Sequence, residues 1–230
     1  MPRPPERVLK AARCVATGLL LTLPLTSHAA PQAGDWPLWP SQIEQSTQAL
    51  AEGSDASESL RVAELRRLES APDAIAEPFI LRALQDESTE MRRVAMRACV
   101  QRQLESCLPA AERLWMESSD PAIRLRSLQM LALFPNEERL ETLLAALDGD
   151  EPSMRDQAAE SLASAPLSAD QEKRLRTVLQ AKLDDQSATV RRRAALTLGL
   201  RGPGAGTVNL IRHLDDPDPT VRVAVAQALG

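Results

Sequence analysis

In the stretch Asp185-Gln186-Ser187-Ala188-Thr189-Val190-Arg191-Arg192-Arg193-Ala194-Ala195-Leu196-Thr197-Leu198-Gly199 an apolar residue, Val190, is followed directly by an arginine. The same pairing returns along the chain as Leu60-Arg61, Met91-Arg92, Ile123-Arg124, Met154-Arg155 and Val221-Arg222, at spacings of 31, 32, 31, 36 and 31 residues. A fixed period in this range marks a repeat architecture. The columns around each anchor agree. Eight residues on stand Leu68, Cys99, Leu131, Leu162, Leu198 and Leu229; five on stand Leu65, Met96, Leu128, Ala159, Ala195 and Ala226. At about 100° per residue these offsets fall on one side of a helix, so each unit carries an amphipathic helix with a Leu/Ala stripe.

The helix starts are marked too. Three residues before the anchors stand Ser57, Ser88, Asp120, Glu151, Ser187 and Asp218, mostly side chains that accept from the open N–H groups of a first turn. Pro121, Pro152 and Pro219 follow directly, where a missing N–H costs nothing. A second helix precedes each of these, with Leu84, Met116, Leu147, Leu183 and Leu214 seven residues before the anchor. In the first unit Gly53 breaks that column, and its leading helix is placed around Ser41 to Ala51. The wider 36-residue step, around Pro166 to Asp170, reads as a longer loop plus a longer leading helix. Neither helix of a unit buries its stripe alone, so the units must stack. The expected fold is all-α, an α-solenoid of about six helix-turn-helix repeats.

The Asp185–Gly199 stretch and its counterpart Asp216–Gly230 resemble HEAT repeats, especially the short bacterial variety first associated with phycobilin lyases. The resemblance runs over residues 41–230 and is most specific in the last two units. It implies a protein-binding scaffold. It also brings in a second reading, a phycobilin-lyase-like enzyme or chromophore-handling protein. Against that stand an export signal, the absence of Tyr, and the lack of His and exposed Cys suited to holding a tetrapyrrole.

The export signal lies in residues 1–29. Arg3, Arg7, Lys10 and Arg13 form a basic start, Cys14 to Leu25 is apolar but too short to span a bilayer, and Ser27-His28-Ala29 offers small residues for cleavage after Ala29. A retained N-terminus would instead make the chain a membrane-anchored assembly factor. Residues 30–40, with Trp36-Pro37-Leu38-Trp39-Pro40, read as a linker whose tryptophans cap the first repeat or form a short docking motif. The repeat domain is 41–230, and the expected compartment is periplasmic or secreted, with no membrane insertion after cleavage.

The chain holds 27 basic and 32 acidic residues; residues 1–29 hold four and one of these, leaving 23 against 31, or −8. Such a balance argues against nucleic acid as the partner. No phosphate-binding glycine loop, metal-ligand cluster or nucleophile–base pair is present, so no catalytic residue, metal or cofactor is assigned. His213, beyond residue 29 the only histidine, reads as a surface residue. Cys99 and Cys107 are candidates for a disulfide, a buried free thiol at Cys99 being the rival.

Arg61, Arg92, Arg124, Arg155, Arg191 and Arg222 begin inside the buried arc. Asp55, Asp86, Asp185 and Asp216 stand in the turns five residues before their anchors, placed for a ladder of charge-assisted bonds that fixes stacking register. The offsets two and six residues past the anchor face away from the core on the second helix. There the expected partner-binding residues are Arg66, Arg93, Arg97, Leu125, Gln129, Asp156, Glu160, Arg192 and Leu196, with Val62, Val223 and Gln227 in the same columns. The last helix, Val221 to Leu229, is apolar nearly all round, which suggests self-association through the C-terminal repeat or stacking against the partner.

Overall fold

A computed structural model describes residues 40–51, 53–202 and 207–230. The signal segment, its cleavage site and both linker tryptophans lie outside the described residues. Within them the regular structure is helical: twelve α-helices and two short 3-10 turns, with no strand. The chain divides into two compact units, one ending at Arg102 and one beginning at Gln103.

The first unit holds two helix pairs, α1 (Pro40–Ala49) with α2 (Glu58–Leu68) and α3 (Asp73–Ala83) with α4 (Thr89–Arg102). Pro40 therefore heads a helix rather than closing the linker. Each leading helix packs on its second helix, and α2 packs on α4. Leu65, Leu68, Ile80, Leu84 and Met96 are fully buried between them. In α2 the carboxylate of Glu64 is buried but satisfied: Ser46 of α1 donates to it at 2.6 Å and Arg67 at 2.9 Å. The anchor Leu60 departs from its column and is 44 % exposed, while Val62 is buried. No described element covers that flank of α2, so the helix turns its apolar side toward α1 and α4.

The second unit holds four pairs: α5 (Leu108–Glu117) with α6 (Pro121–Leu133), α7 (Glu137–Leu147) with α8 (Pro152–Leu162), α9 (Ala169–Lys182) with α10 (Ala188–Leu200), and α11 (Thr207–Arg212) with α12 (Pro219–Leu229). The second helices α6, α8, α10 and α12 pack one on the next as an inner row; α7 packs on α9 as part of an outer row. Ile123, Leu128, Leu131, Leu140, Leu143, Leu147, Leu162, Leu175, Leu179 and Leu183 fill the space between rows. The 36-residue step is taken up by the stretch 163–168 and by α9, fourteen residues long and started by a capping box between Ser168 and Gln171.

One column fails here. Met116, placed with the core leucines, is 78 % exposed. Leu108, Ala111 and Leu114 are the buried residues of α5, so its core face sits two residues earlier than the period puts it. The 3-10 turn Glu105–Cys107 ahead of α5 resets the register. Leu214, at 39 % exposed, also leaves the core column.

Helix starts behave as the local chemistry requires. Ser57, Ser88, Asp120 and Asp218 each accept from first-turn N–H groups, whereas the Ser187 hydroxyl turns to Thr189. Helix ends carry a device that the repeat columns did not reveal. Eleven residues past their anchors, Arg102 and Arg201 cap the carbonyl ends of the preceding second helix. Arg102 donates to the carbonyls of Glu69 and Ala71 and pairs with Asp73. Arg201 donates to those of Leu162, Ala163 and Ala165 and pairs with Glu172. A guanidinium satisfies several orphan carbonyls at once and sits at the negative end of the helix dipole. Gly199 marks the tightest crossing of the inner row. A Cβ there would stand 2.6 Å from the Cα of Ala228 and 2.7 Å from its Cβ, so α10 and α12 meet backbone to backbone.

Cys99 and Cys107 are both buried and both disulfide-bonded.

Candidate functional site

The arginine that follows each anchor sits where an inner helix starts, close to the turn before it. Arg155 shows the full arrangement. Its Nη1 donates to the carbonyls of Gly149 and Asp150 in its own turn, and Nε and Nη2 clasp both carboxylate oxygens of Asp185 in the next turn at 2.9 and 2.8 Å. Arg191 repeats it one unit on, with the carbonyls of Asp185 and Gln186 behind and Asp216 ahead at 2.8 and 2.9 Å. Arg61 pairs with Asp86 in the first unit. Each of these aspartates also accepts from the backbone N–H two residues later, which fixes the turn. Where the position five before the next anchor is not an aspartate the arrangement changes. Position 149 is glycine, and Arg124 instead lies over the Trp115 ring at 4.7 Å, with Glu151 3.9 Å away. Arg92 holds the carbonyls of Asp86 and Glu87, and Arg222 those of Asp216 and Pro217. Asp55 is exposed.

The pairs shift both partners. Burial is the largest single influence on Asp185 and pushes its carboxyl up, but the Arg155 bond and the Ser187 N–H together hold it below the usual carboxylate range. For Asp216 the Arg191 bond is largest and outweighs burial, again lowering it. Hydrogen bonding to these carboxylates raises Arg155 and Arg191.

The columns two and six residues past the anchors do not form one free face. Arg66, Arg93, Glu160, Val223 and Gln227 are exposed; Arg97, Leu125, Gln129, Arg192 and Leu196 are half-buried; Val62 and Asp156 are buried. Most of the charges there are already engaged. Arg66 and Arg93 pair with Glu90, Arg97 with Glu69, and Arg193 of α10 with both Asp156 and Glu160 of α8 at 3.2 and 3.3 Å. The expectation that these columns point away from the core is thus corrected at Val62 and Asp156. Facing positions on adjacent inner helices meet across a seam, which the periodicity of one helix does not reveal.

The seams of the second unit differ. Arg193 closes α8/α10, helped by Thr197, whose hydroxyl donates to the Ala159 carbonyl at 3.0 Å. At α6/α8 the corresponding residues are Leu125 and Gln157, and the seam is open. A groove of about 450 Å³ lies there, across the starts of α6, α8 and α10, lined by Pro121, Ala122, Leu125, Pro152, Met154 and Asp156, with Ser153, Gln157 and Thr189 at its edge. A smaller hollow of about 320 Å³ in the first unit lies between the end of α1 and Phe79, beside the Arg61–Asp86 pair, with Arg82 bonded to the Leu50 carbonyl. Among the described residues no cluster of His, Cys, Asp and Glu is arranged to hold a metal ion. None of their helices is long and apolar enough to cross a membrane.

Helix pairs stacked on one another within each unit define an α-solenoid repeat protein. The family described as HEAT repeats matches residues 76–163 and 175–230, and the chain belongs to it. Comparison with curated protein sequences finds no match. Several solved structures share the fold. An engineered protein from the Northeast Structural Genomics Consortium is 20 % identical, with a TM-score of 0.54 over 81 % of this chain and 94 % of that one. A designed armadillo repeat protein is 18 % identical, with a TM-score of 0.55 over 81 % and 98 %. Another designed armadillo repeat protein, solved in complex with the peptide (KR)4, is 18 % identical, with a TM-score of 0.56 over the same shares.

Proposed function

We propose that this chain is an exported scaffold or adaptor, periplasmic or secreted, that holds an extended segment of a protein partner against the inner helix row and performs no catalysis. The observation that carries the reading is the open α6/α8 seam. Pro121, Leu125 and Pro152 present apolar surface there, over a buried Met154, without a covering element among the described residues, while the neighbouring seam is closed by Arg193. An extended peptide would place an apolar side chain in such a groove and use the rim for hydrogen bonds. A designed solenoid of related fold is seen with a peptide, which shows that such a scaffold can hold one.

The test is site-specific photocrosslinking in the exporting cell. A crosslinking residue at Leu125 or Gln157 should capture a protein that the same residue at Thr177, exposed on outer helix α9, does not. Equal capture at both faces, or none at the groove, sinks the inner-row reading. The last helix pair supplies the second part of the proposal. Val208, Ile211 and Val223 are 63 %, 53 % and 57 % exposed, apolar area suited to weak self-association. Light scattering over a dilution series should show mass falling toward the monomer, and Val208→Lys with Ile211→Lys should give the monomer throughout.

A further inference from the structure

The outer row carries its own cross-links between consecutive turns. Lys182, ending α9, stands 2.7 Å from Asp148 in the turn before α8. His213, in the 3-10 turn His213–Asp215 that follows α11, stands 3.6 Å through Nε2 from Asp184 in the turn before α10. These pairs occupy one register. Both bases lie eight residues before an anchor, Val190 or Val221, and both acids lie six before the preceding anchor, Met154 or Val190. One link therefore uses a permanent ammonium and the next an imidazole, the side chain whose charge changes between about pH 5 and 8.

We propose that His213 makes the docking of the α11/α12 pair on α9/α10 pH-dependent, clamping it when the imidazole is protonated and loosening it when the imidazole is neutral. The argument is geometric. The His213 side chain is only 16 % exposed and has a carboxylate on each side: Asp184 near Nε2, and Asp216 with its Oδ2 4.0 Å from Nδ1. A neutral imidazole has one N–H and one lone pair, so either tautomer aims a lone pair at an anion. The imidazolium turns an N–H and its positive charge toward both carboxylates, at ion-pair rather than hydrogen-bond distance. Other charges around the ring are committed. Arg191 of α10 clasps Asp216; Arg222 of α12 holds the Asp216 and Pro217 carbonyls; Lys182 is with Asp148 and Asp185 with Arg155. On the histidine's own segment, Arg212 and Asp215 are exposed and of opposite sign. Asp184 is 81 % exposed as a side chain, and among the described residues His213 is its ion-pair partner. The Asp184 contact thus adds to the Arg191–Asp216 pair, whose Oδ2 already takes the Arg191 Nε bond and faces Nδ1 only at 4.0 Å.

Hydrogen exchange on the full exported chain at about pH 5.5 and about pH 8, corrected for the intrinsic pH dependence, reads the docking directly. Amides of 207–230 should be about two- to five-fold better protected at the lower pH, the range expected of a part-exposed ion pair, with those of α8 as internal reference. His213→Gln and Asp184→Asn should abolish the difference. His213→Lys, which copies the Lys182 link, should keep the higher protection at both pH values. The proposal is overturned by a wild-type chain without the difference, or by its survival in His213→Gln or in His213→Lys.

Discussion

Arg155 and Arg124 occupy the same position on two inner helices, and their neighbours give them different work. Arg155 meets Asp185, whose side chain is 7 % exposed, in a two-point clasp; Arg124 meets a ring and a distant carboxylate. Asp185→Ala should therefore destabilise the second unit by about 1.5–3 kcal/mol, the range for a bond to a charged group, in urea unfolding. Arg124→Ala should cost less than that. The pairs also set an acid limit. Asp185 and Asp216 are held below the ordinary carboxylate range, so their contribution is present above about pH 4 and is lost as pH falls through the lowered values. A double variant, Asp185→Asn with Asp216→Asn, should be less stable near neutrality and show a shallower loss in acid; an unchanged acid slope would remove the ladder from the account. The position of the arginines was legible from their offset. What was not legible is which acids they and their neighbours share. The pairing of Arg193 with Asp156 and Glu160 depends on how two helices meet, and it turned columns read as free surface into a closed seam. His213 was misread as a surface residue for the same reason, although Lys182 and Asp148 at matching offsets were a usable signal.

Among the helices, the period located nearly every core position, because a stacked repeat forces the same face inward each time. It failed at Leu60, Leu214 and Ala226, which are exposed, and in α5, where the turn Glu105–Cys107 slips the register and leaves Met116 outside. The contrast is measurable. Leu131→Ala and Leu162→Ala, both at buried sites, should destabilise by about 2–5 kcal/mol, whereas Met116→Ala should change the midpoint little. A large loss at Met116 would mean that α5 is rotated. The α10/α12 crossing gives a test in the opposite sense. Gly199→Ala would normally favour a helix, but here the new methyl meets the backbone of Ala228, which has no flexible end to yield. The expected outcome is a loss of about 1–3 kcal/mol, read by thermal or urea unfolding. A gain would show that the two helices stand further apart than this crossing requires.

For the whole molecule, export and oxidation state can be read in one experiment, because the cysteines divide between the expected leader and the repeats. Cys14 belongs to residues 1–29, while Cys99 and Cys107 lie in the helical units and are disulfide-bonded. Disulfides of this kind persist in an oxidising compartment and are rare where thiols are kept reduced. Protein recovered from the exporting cell, unfolded without reductant and treated with a thiol-reactive tag, therefore has distinct outcomes in its intact mass. Cleavage after Ala29 gives a chain beginning at Ala30 that takes no tag and takes two after reduction. A retained N-terminus gives the full-length mass with one tag, on Cys14, and would make the chain a membrane-anchored factor instead. A mass starting at Ala30 with two tags before reduction would keep the export reading and end the disulfide. The full-length mass with three tags would place the protein in a reducing compartment and remove the premise of an extracytoplasmic scaffold, while leaving the α6/α8 groove to be tested against a different set of partners.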